Sequence, residues 1–215
     1  PFSDHNPSPR NCYQSSMGKQ ALGIFASNYD LRWDTMANIM TYPQRPVTQT
    51  RTAKYVGLDK LFHGYNNMHC ISTYSGYNQE DSLVGSLDSA KRGAHNSLYY
   101  RTYTAQLRRI SDDGDGAETF QIPPTDGTIG RRQGNDGSDR YHAIVPSSKK
   151  NGKTMAPELP LLGSILVSGD VIIPKTKNIH RNDVVLHSDN SVTVRASEGG
   201  MVDAIIPFKP EVELP

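Results

Sequence analysis

The stretch SILVSGDVIIP, Ser164–Pro174, decides how the chain reads. Two short apolar runs, rich in β-branched residues, flank the turn-forming pair Gly169–Asp170. Runs of this length bounded by turn residues read as strands. The pattern continues downstream in DVVLH (Asp183–His187), SVTVRA (Ser191–Ala196) and MVDAIIPF (Met201–Phe208), separated by SDN and EGG. Short strands with clear turns predict an antiparallel meander. The expected fold class is therefore α+β and β-rich.

Upstream of this run, residues 111 to about 160 are turn-rich and charged: SDDGDGAE, PPTDGTIGRRQGNDGSD and PSSKKNGKTMAPELP. Before them, Asn96–Leu107 and Met68–Tyr74 carry aromatic and β-branched residues and read as strands. Pro43 and Pro46 force an extended segment. Near the start, Ser8 is placed as an N-cap with Pro9 at the first helical position and Gly23 as the stop. At 100° per residue, Arg10, Tyr13, Met17 and Gln20 share an arc of about 80°. A cation, an aromatic, a flexible apolar group and an amide make a poor core face, because a charge does not bury without a partner. The face suits a polar ligand. Lys19 falls on the opposite side.

Bulk properties set limits. The chain has 215 residues, enough for one large domain or two small ones. Its hydrophobic fraction is 35%, below the usual range of about 45–50%, which also counts Gly. Part of its surface is therefore expected to dock on something else. The first residue is Pro1 and no signal-like apolar run follows, which suggests a piece of a longer polypeptide. Cys12 and Cys70 allow one disulfide but no framework and form no CxxC pair, so a zinc knuckle is not indicated. No apolar run approaches the roughly 18 residues of a membrane span. Residues 1–110 carry 12 Lys and Arg against 7 Asp and Glu, whereas residues 111–215 carry 11 against 15. The basic first half hints at a polyanionic partner.

Several motifs are weak. SDDGDGAE resembles a calcium loop, but with Asp115 and Gly116 in register the end positions hold Ser111 and Ile122 instead of Asp and Glu. His5, His63 and His69 do not fall at metal spacing. GRRQG and SSKKNGK are basic loops that could meet phosphates or only water. The stretch YSGYNQEDS, Tyr74–Ser82, sets Glu80 and Asp81 side by side. Adjacent residues point apart, so they cannot face each other across a substrate as acid and base. Either the turn is solvated, or both acids serve something charged at a loop end.

The blocks DHNPSPRNCYQSSMGKQALG, RWDTMANIMTYPQRPVTQTR and YSGYNQEDS, followed by LGSILVSGDVIIPKT and EGGMVDAII, resemble the second-largest subunit of multisubunit DNA-directed RNA polymerases. The order and spacing are similar, and the second block is closest to the RNA polymerase II type and its relatives in large DNA viruses. The likeness spans the chain, dense over residues 1–82 and patchy from 83 to 160. It departs from the family at Pro7, where Gln is usual, at Cys12, where Thr is common, and just after Ser82.

The resemblance implies that the chain is part of that subunit. Residues 1–96 would belong to the hybrid-binding, β-barrel-containing domain, and residues 97–215 to the antiparallel β wall, or flap. It implies that Glu80 and Asp81 lie near the second, mobile Mg²⁺ and reach it through water, while the main ion belongs to the largest subunit. Arg10 would contact the triphosphate, and Tyr13, Gln20 and, least directly, Lys19 would line the nucleotide or RNA end. No zinc is implied in this segment. The partners would be the largest subunit and other polymerase subunits, template DNA, nascent RNA and nucleoside triphosphates, with no membrane. The location would be nuclear in a cell, or a cytoplasmic factory or virion for a virus. Two other readings stay open: a non-catalytic nucleic-acid-binding module, or a β scaffold for subunit docking.

Overall fold

The computed structural model describes residues 1–108, 116–134, 137–146, 149–150, 153–154, 157–181 and 184–208. It divides into two compact units, Pro1–Thr102 and Tyr103–Pro215. Both are built from short elements, and the described structure is β-rich with few helices.

Unit 1 opens with a 3-10 turn, Ser3–His5, and helix α1, Ser8–Gly18. The helix begins one residue before the expected start. Pro7 is the extended N-cap, and no side chain caps the end, a shift within the usual uncertainty of helix boundaries. It also ends earlier than Gly23. Amides of Gln20 and Ala21 turn back to Met17 and Gly18 through tight three-residue closures. Gly23 serves close approach instead: a Cβ there would stand 2.3 Å from the His63 Cβ. Strand β1, Met36–Met40, pairs antiparallel with β2, Ser97–Arg101, from Met36↔Arg101 to Met40↔Ser97. Two short helices lie between them in sequence, α2 (Arg51–Tyr55) and α3 (Leu87–Lys91). Each has a side-chain cap, Thr50 and Ser86, accepting an amide hydrogen bond.

Met68–Tyr74, expected as a strand, is not one. Its apolar residues Met68 and Ile71 are 103% and 93% exposed. A β-rich composition makes a strand only where a neighbouring strand takes up its backbone groups and its face is covered. Neither condition is met in this segment.

Unit 2 contains β3 (Glu118–Thr119), β4 (Thr128–Ile129), β5 (Lys149–Lys150), β6 (Lys153–Thr154), β7 (Ile165–Leu166), β8 (Val171–Ile173), β9 (Thr176–Arg181), β10 (Val184–Asp189), β11 (Val192–Thr193) and β12 (Gly200–Met201). The main sheet has the order β3-β9-β10-β4, with β10 antiparallel to β9 and parallel to β4. Strand β9 was absent from the sequence expectation because TKNIHR is polar.

The expected meander is instead a nested arrangement. β9 pairs with β10, β8 with β11, and β7 with β12. The reason lies at Gly169–Asp170. Gly169 takes a left-handed φ of 89°, and its amide donates to the Val194 carbonyl at 3.0 Å. The Val194 amide returns to the Asp170 carbonyl at 2.8 Å. Asp170 also accepts from the Val167 amide at 2.8 Å. The Gly169 amide and the Asp170 carbonyl thus bond to the residue just after β11, while the Asp170 amide turns back to the Val167 carbonyl at 3.1 Å, and β7 and β8 take other strands as partners.

The nesting encloses two small cores. One joins Tyr141, Ile144 and Val171 with Ile122, and the other Ala143, Leu166 and Val194 with Ile172 and Val202. Two polar side chains buried in this unit are paired. Asp170 meets Arg140 at 3.2 Å, and the Thr119 and Thr176 hydroxyls bond at 2.9 Å. In unit 1 only Ile39 and Ala53 are buried apolar side chains among the described residues.

Candidate functional site

The residues singled out by sequence lie on two exposed features of unit 1. The first is α1. Its side chains are exposed apart from half-buried Asn11, whose amide donates to the Ser3 carbonyl at 2.8 Å and ties the helix to the preceding turn. Arg10 and Tyr13, three residues apart, meet as neighbours on a helix surface must. The guanidinium carbon sits 5.5 Å from the ring centroid, in cation–π range. Arg10 has no ion-pair partner among the described residues. Gln20 lies in the turn after the helix rather than on it, and Lys19 is the C-cap. The four-residue face thus shortens to Arg10, Tyr13 and Met17.

The second feature is the turn Tyr74–Ser82. Asn78 organises it. Its side-chain oxygen accepts from the Tyr74 amide at 3.1 Å, and its side-chain nitrogen donates to the Ser72 carbonyl at 2.7 Å. Ser75 and Gly76 hold left-handed φ values of 57° and 74°. The Ser82 amide then closes on the Gln79 carbonyl at 3.1 Å, with Glu80 and Asp81 at the two central positions. Glu80 has φ 56°, a region that costs a residue with a Cβ about 1–2 kcal/mol. Both carboxylates are exposed and without a cationic partner among the described residues. No hydrogen bond or ion pair joins this turn to Arg10 or Tyr13.

Asn78 was missed in the sequence reading. Its signal was present, since Asn in a Gly-containing turn commonly bonds its own backbone neighbours. Among the described residues no group of three or more His, Cys, Asp and Glu side chains could hold a metal. Two adjacent exposed acids suit outer contact with a hydrated ion rather than a closed cage.

The other motifs resolve differently. Of GRRQG, Arg131 is committed to structure: its Nε donates to the Pro123 carbonyl at 3.2 Å, and its guanidinium carbon lies 4.9 Å from the Tyr141 ring centroid. Most of SDDGDGAE lies outside the described residues, as do the side chains of SSKKNGK. Glu118, the last residue of the acidic stretch, belongs to a buried network that sequence reading missed. It accepts from the Arg108 amide at 2.9 Å, Lys175 Nζ at 3.1 Å and Asn190 Nδ2 at 2.7 Å. Burial alone would raise its pKa, but these donors outweigh burial and hold it below the ordinary carboxylate value. Asp189 is likewise held down against burial by Ser191, Tyr141 and the Arg132 amide. Burial, then the Asp189 bond, pushes the Tyr141 phenol up.

Comparison with known proteins bears on both units. Residues 1–213 match the family model described as RNA polymerase Rpb2, domain 6. The chain is 38% identical over 215 residues to DNA-directed RNA polymerase II subunit RPB2 of Schizosaccharomyces pombe, covering 96% of this chain and 16% of that protein. It is 38% identical over 213 residues to DNA-directed RNA polymerase II subunit 2 of Arabidopsis thaliana, with the same coverage. It is 34% identical over 208 residues to DNA-directed RNA polymerase subunit Rpo2 of Sulfolobus acidocaldarius, covering 96% of this chain and 17% of that protein. The chain therefore spans about a sixth of the length of these relatives.

Proposed function

Because the chain belongs to the RNA polymerase Rpb2, domain 6 family, we propose that it serves as part of the second-largest subunit of a DNA-directed RNA polymerase, contributing to nucleotide addition and to holding the DNA–RNA hybrid. The observation that carries this reading is the pair of exposed, unpartnered features of opposite charge, Arg10 on α1 and Glu80–Asp81 on the Asn78-braced turn. Arg10 offers a planar fork of donors to triphosphate oxygens, and its contact with Tyr13 limits the directions the fork can take. Tyr13, Gln20 and Lys19 line the same end of the chain for the nucleotide or RNA terminus.

Glu80 and Asp81 would hold a second Mg²⁺ through water. Bound there, the ion would neutralise charge on the triphosphate as the RNA hydroxyl attacks. The acids need not face each other, since contact through water tolerates different directions. Their lack of a cationic partner among the described residues leaves their charge available. The main Mg²⁺ and the rest of the catalytic groups would come from the largest subunit, so activity belongs to the assembled enzyme. Residues 1–96 would form part of the hybrid-binding domain, and residues 97–215 would form the wall. Template DNA, nascent RNA and the other polymerase subunits are the partners this implies. The eukaryotic relatives support a nuclear location and give the viral alternative no support.

In assembled polymerase, Arg10→Ala and the double change Glu80→Ala with Asp81→Ala should each slow nucleotide addition by about tenfold or more, with DNA binding nearly unchanged. Elongation at the unaltered rate in both variants sinks the assignment. A second reading, subunit docking, is favoured by the exposed apolar side chains of unit 1, with Trp33, Met68 and Ile71 the clearest. It predicts that Ile71→Ser with Met68→Ser weakens assembly without touching the rate of enzyme that does assemble.

A further inference from the structure

Where β1 ends and β2 begins, unit 1 forms an open cup of about 630 Å³. Its lining carries the cations Lys91 and Arg92 with the His95 ring beside them, and no carboxylate among the described residues lines it. Lys91 and Arg92 are exposed and unpaired among the described residues. The nearest acid in sequence, Asp88, lies in the first turn of α3 and makes no ion pair with either.

The cup is fixed by the fold. One step beyond the Met40↔Ser97 pair, the Thr41 amide donates to the Asn96 carbonyl at 3.0 Å. The Asn96 amide closes a turn on the Gly93 carbonyl at 3.2 Å. Tyr42 and His95, on either side, are both left-handed, with φ of 56° and 64°. Such conformations cost energy outside glycine and persist only where the surroundings enforce them. Gly93 has φ 105°, and a Cβ there would stand 3.0 Å from the Tyr42 ring. The Tyr65 hydroxyl bonds His95 Nδ1, with the rings edge-to-face at 4.9 Å. A hydroxyl donating to Nδ1 leaves the ring proton on Nε2, which is then a donor.

Like charges gathered without a counter-ion favour an anion, and an open polar mouth suits one that keeps part of its hydration or continues into a polymer. Arginine matches phosphate oxygens with its fork, and lysine adds a compact charge. We infer that the cup formed by Lys91, Arg92 and His95 at the β1–β2 end is a binding site for a phosphoryl anion. The anion is either a free phosphate or a phosphodiester of a nucleic-acid strand.

The test is titration of the 215-residue chain at low salt with inorganic phosphate and, separately, with a short single-stranded RNA, read by the amide resonances of Gly93, His95, Asn96 and Ser97. Saturable shifts there are expected. Lys91→Gln with Arg92→Gln should weaken binding about tenfold or more, whereas Arg92→Lys should keep most of it. Shifts with RNA alone assign a phosphodiester, and shifts with phosphate assign a free ion. No saturable shift with either probe, or shifts that survive the double change, overturn the inference. The β1–β2 amides report the fold of each variant. If they show unit 1 disordered, the same comparison is made in assembled polymerase by protection of Lys91 from amine labelling. Protection by either probe that is lost in Arg92→Gln supports the site, and unchanged labelling overturns it. The readout is local binding, so its failure leaves the nucleotide-addition test of Arg10, Glu80 and Asp81 standing.

Discussion

Both units display apolar side chains, Ile165 and Phe208 in unit 2 among them, but among the described residues only unit 2 also buries apolar clusters. In unit 2, Val171 and Leu166 are 0% and 3% exposed, and the buried Glu118 accepts three hydrogen bonds. In unit 1, Trp33 is 73% exposed, Met68 and Ile71 more so, and α1 buries no residue. Apolar area removed from water is the main source of stability. Unit 2 therefore has its own source, whereas the described part of unit 1 rests on a two-stranded ladder and on turns fixed by single side chains. The difference fits a segment whose first unit is shaped for contact and whose second is shaped to stand. It also explains where candidate functional groups are found: unpartnered charge is tolerable on an exposed surface and costly in a core.

The comparison can be broken in order of expected effect. Lys175→Ala removes a charge that Glu118 needs in a buried setting, and should destabilise unit 2 by about 3–5 kcal/mol in denaturant titration. A loss under 1 kcal/mol would mean that the network is solvated. Leu166→Ala should follow at about 2–5 kcal/mol, from lost transfer energy and the cavity left behind. Changing Ile71 to Ser in unit 1 should move the stability of the free chain by no more than about 0.5 kcal/mol. A large loss would show that this surface is covered within the chain itself.

Acid sharpens the contrast. Glu118 and Asp189 have folded pKa values below their ordinary 4.5 and 3.8. Their contribution is fully present above those ordinary values and is lost as pH falls through the depressed ones. Thermal melts followed by unit 2 resonances should therefore drop in temperature below about pH 4.5, and Glu118→Gln should flatten that drop. The smallest effect is at Glu80. Asn tolerates the left-handed region better, so Glu80→Asn should leave the free chain as stable or stabilise it by about 0.5 kcal/mol. The same change should slow nucleotide addition in assembled enzyme. Stability and rate moving together would mean that the strain at Glu80 has no functional link.

Much of the site was legible because its signals are local. Arg10 and Tyr13 are three apart on a helix that Pro9 marks in its first turn, and helical geometry alone makes them neighbours. Glu80 and Asp81 are adjacent in a turn marked by Ser75, Gly76 and Asn78. Gln20 was misplaced because Gly23 looked like a stop, whereas its missing side chain answers a backbone passing at residues 62–63. The cationic cup was not legible. It depends on β1 meeting β2 across more than fifty residues of chain, and no spacing in the sequence states that pairing.

The sequence by itself determined the family, the β-rich class, the existence of α1 and of β7, β8, β10 and β11, and the acidic turn. These follow from motifs and from periodicity, which act over a few residues. Sequence reading missed β9, and of the expected strand Met201–Phe208 only Met201 is in a strand. Tertiary structure alone decided which strands pair, turning an expected meander into nested pairs around β9 and β10. It also decided that Met68–Tyr74 stays unpaired and that Arg131 stacks on Tyr141 instead of waiting for phosphate. Each of these outcomes is settled by where a backbone donor or a charged group finds its partner, and those partners are distant in sequence.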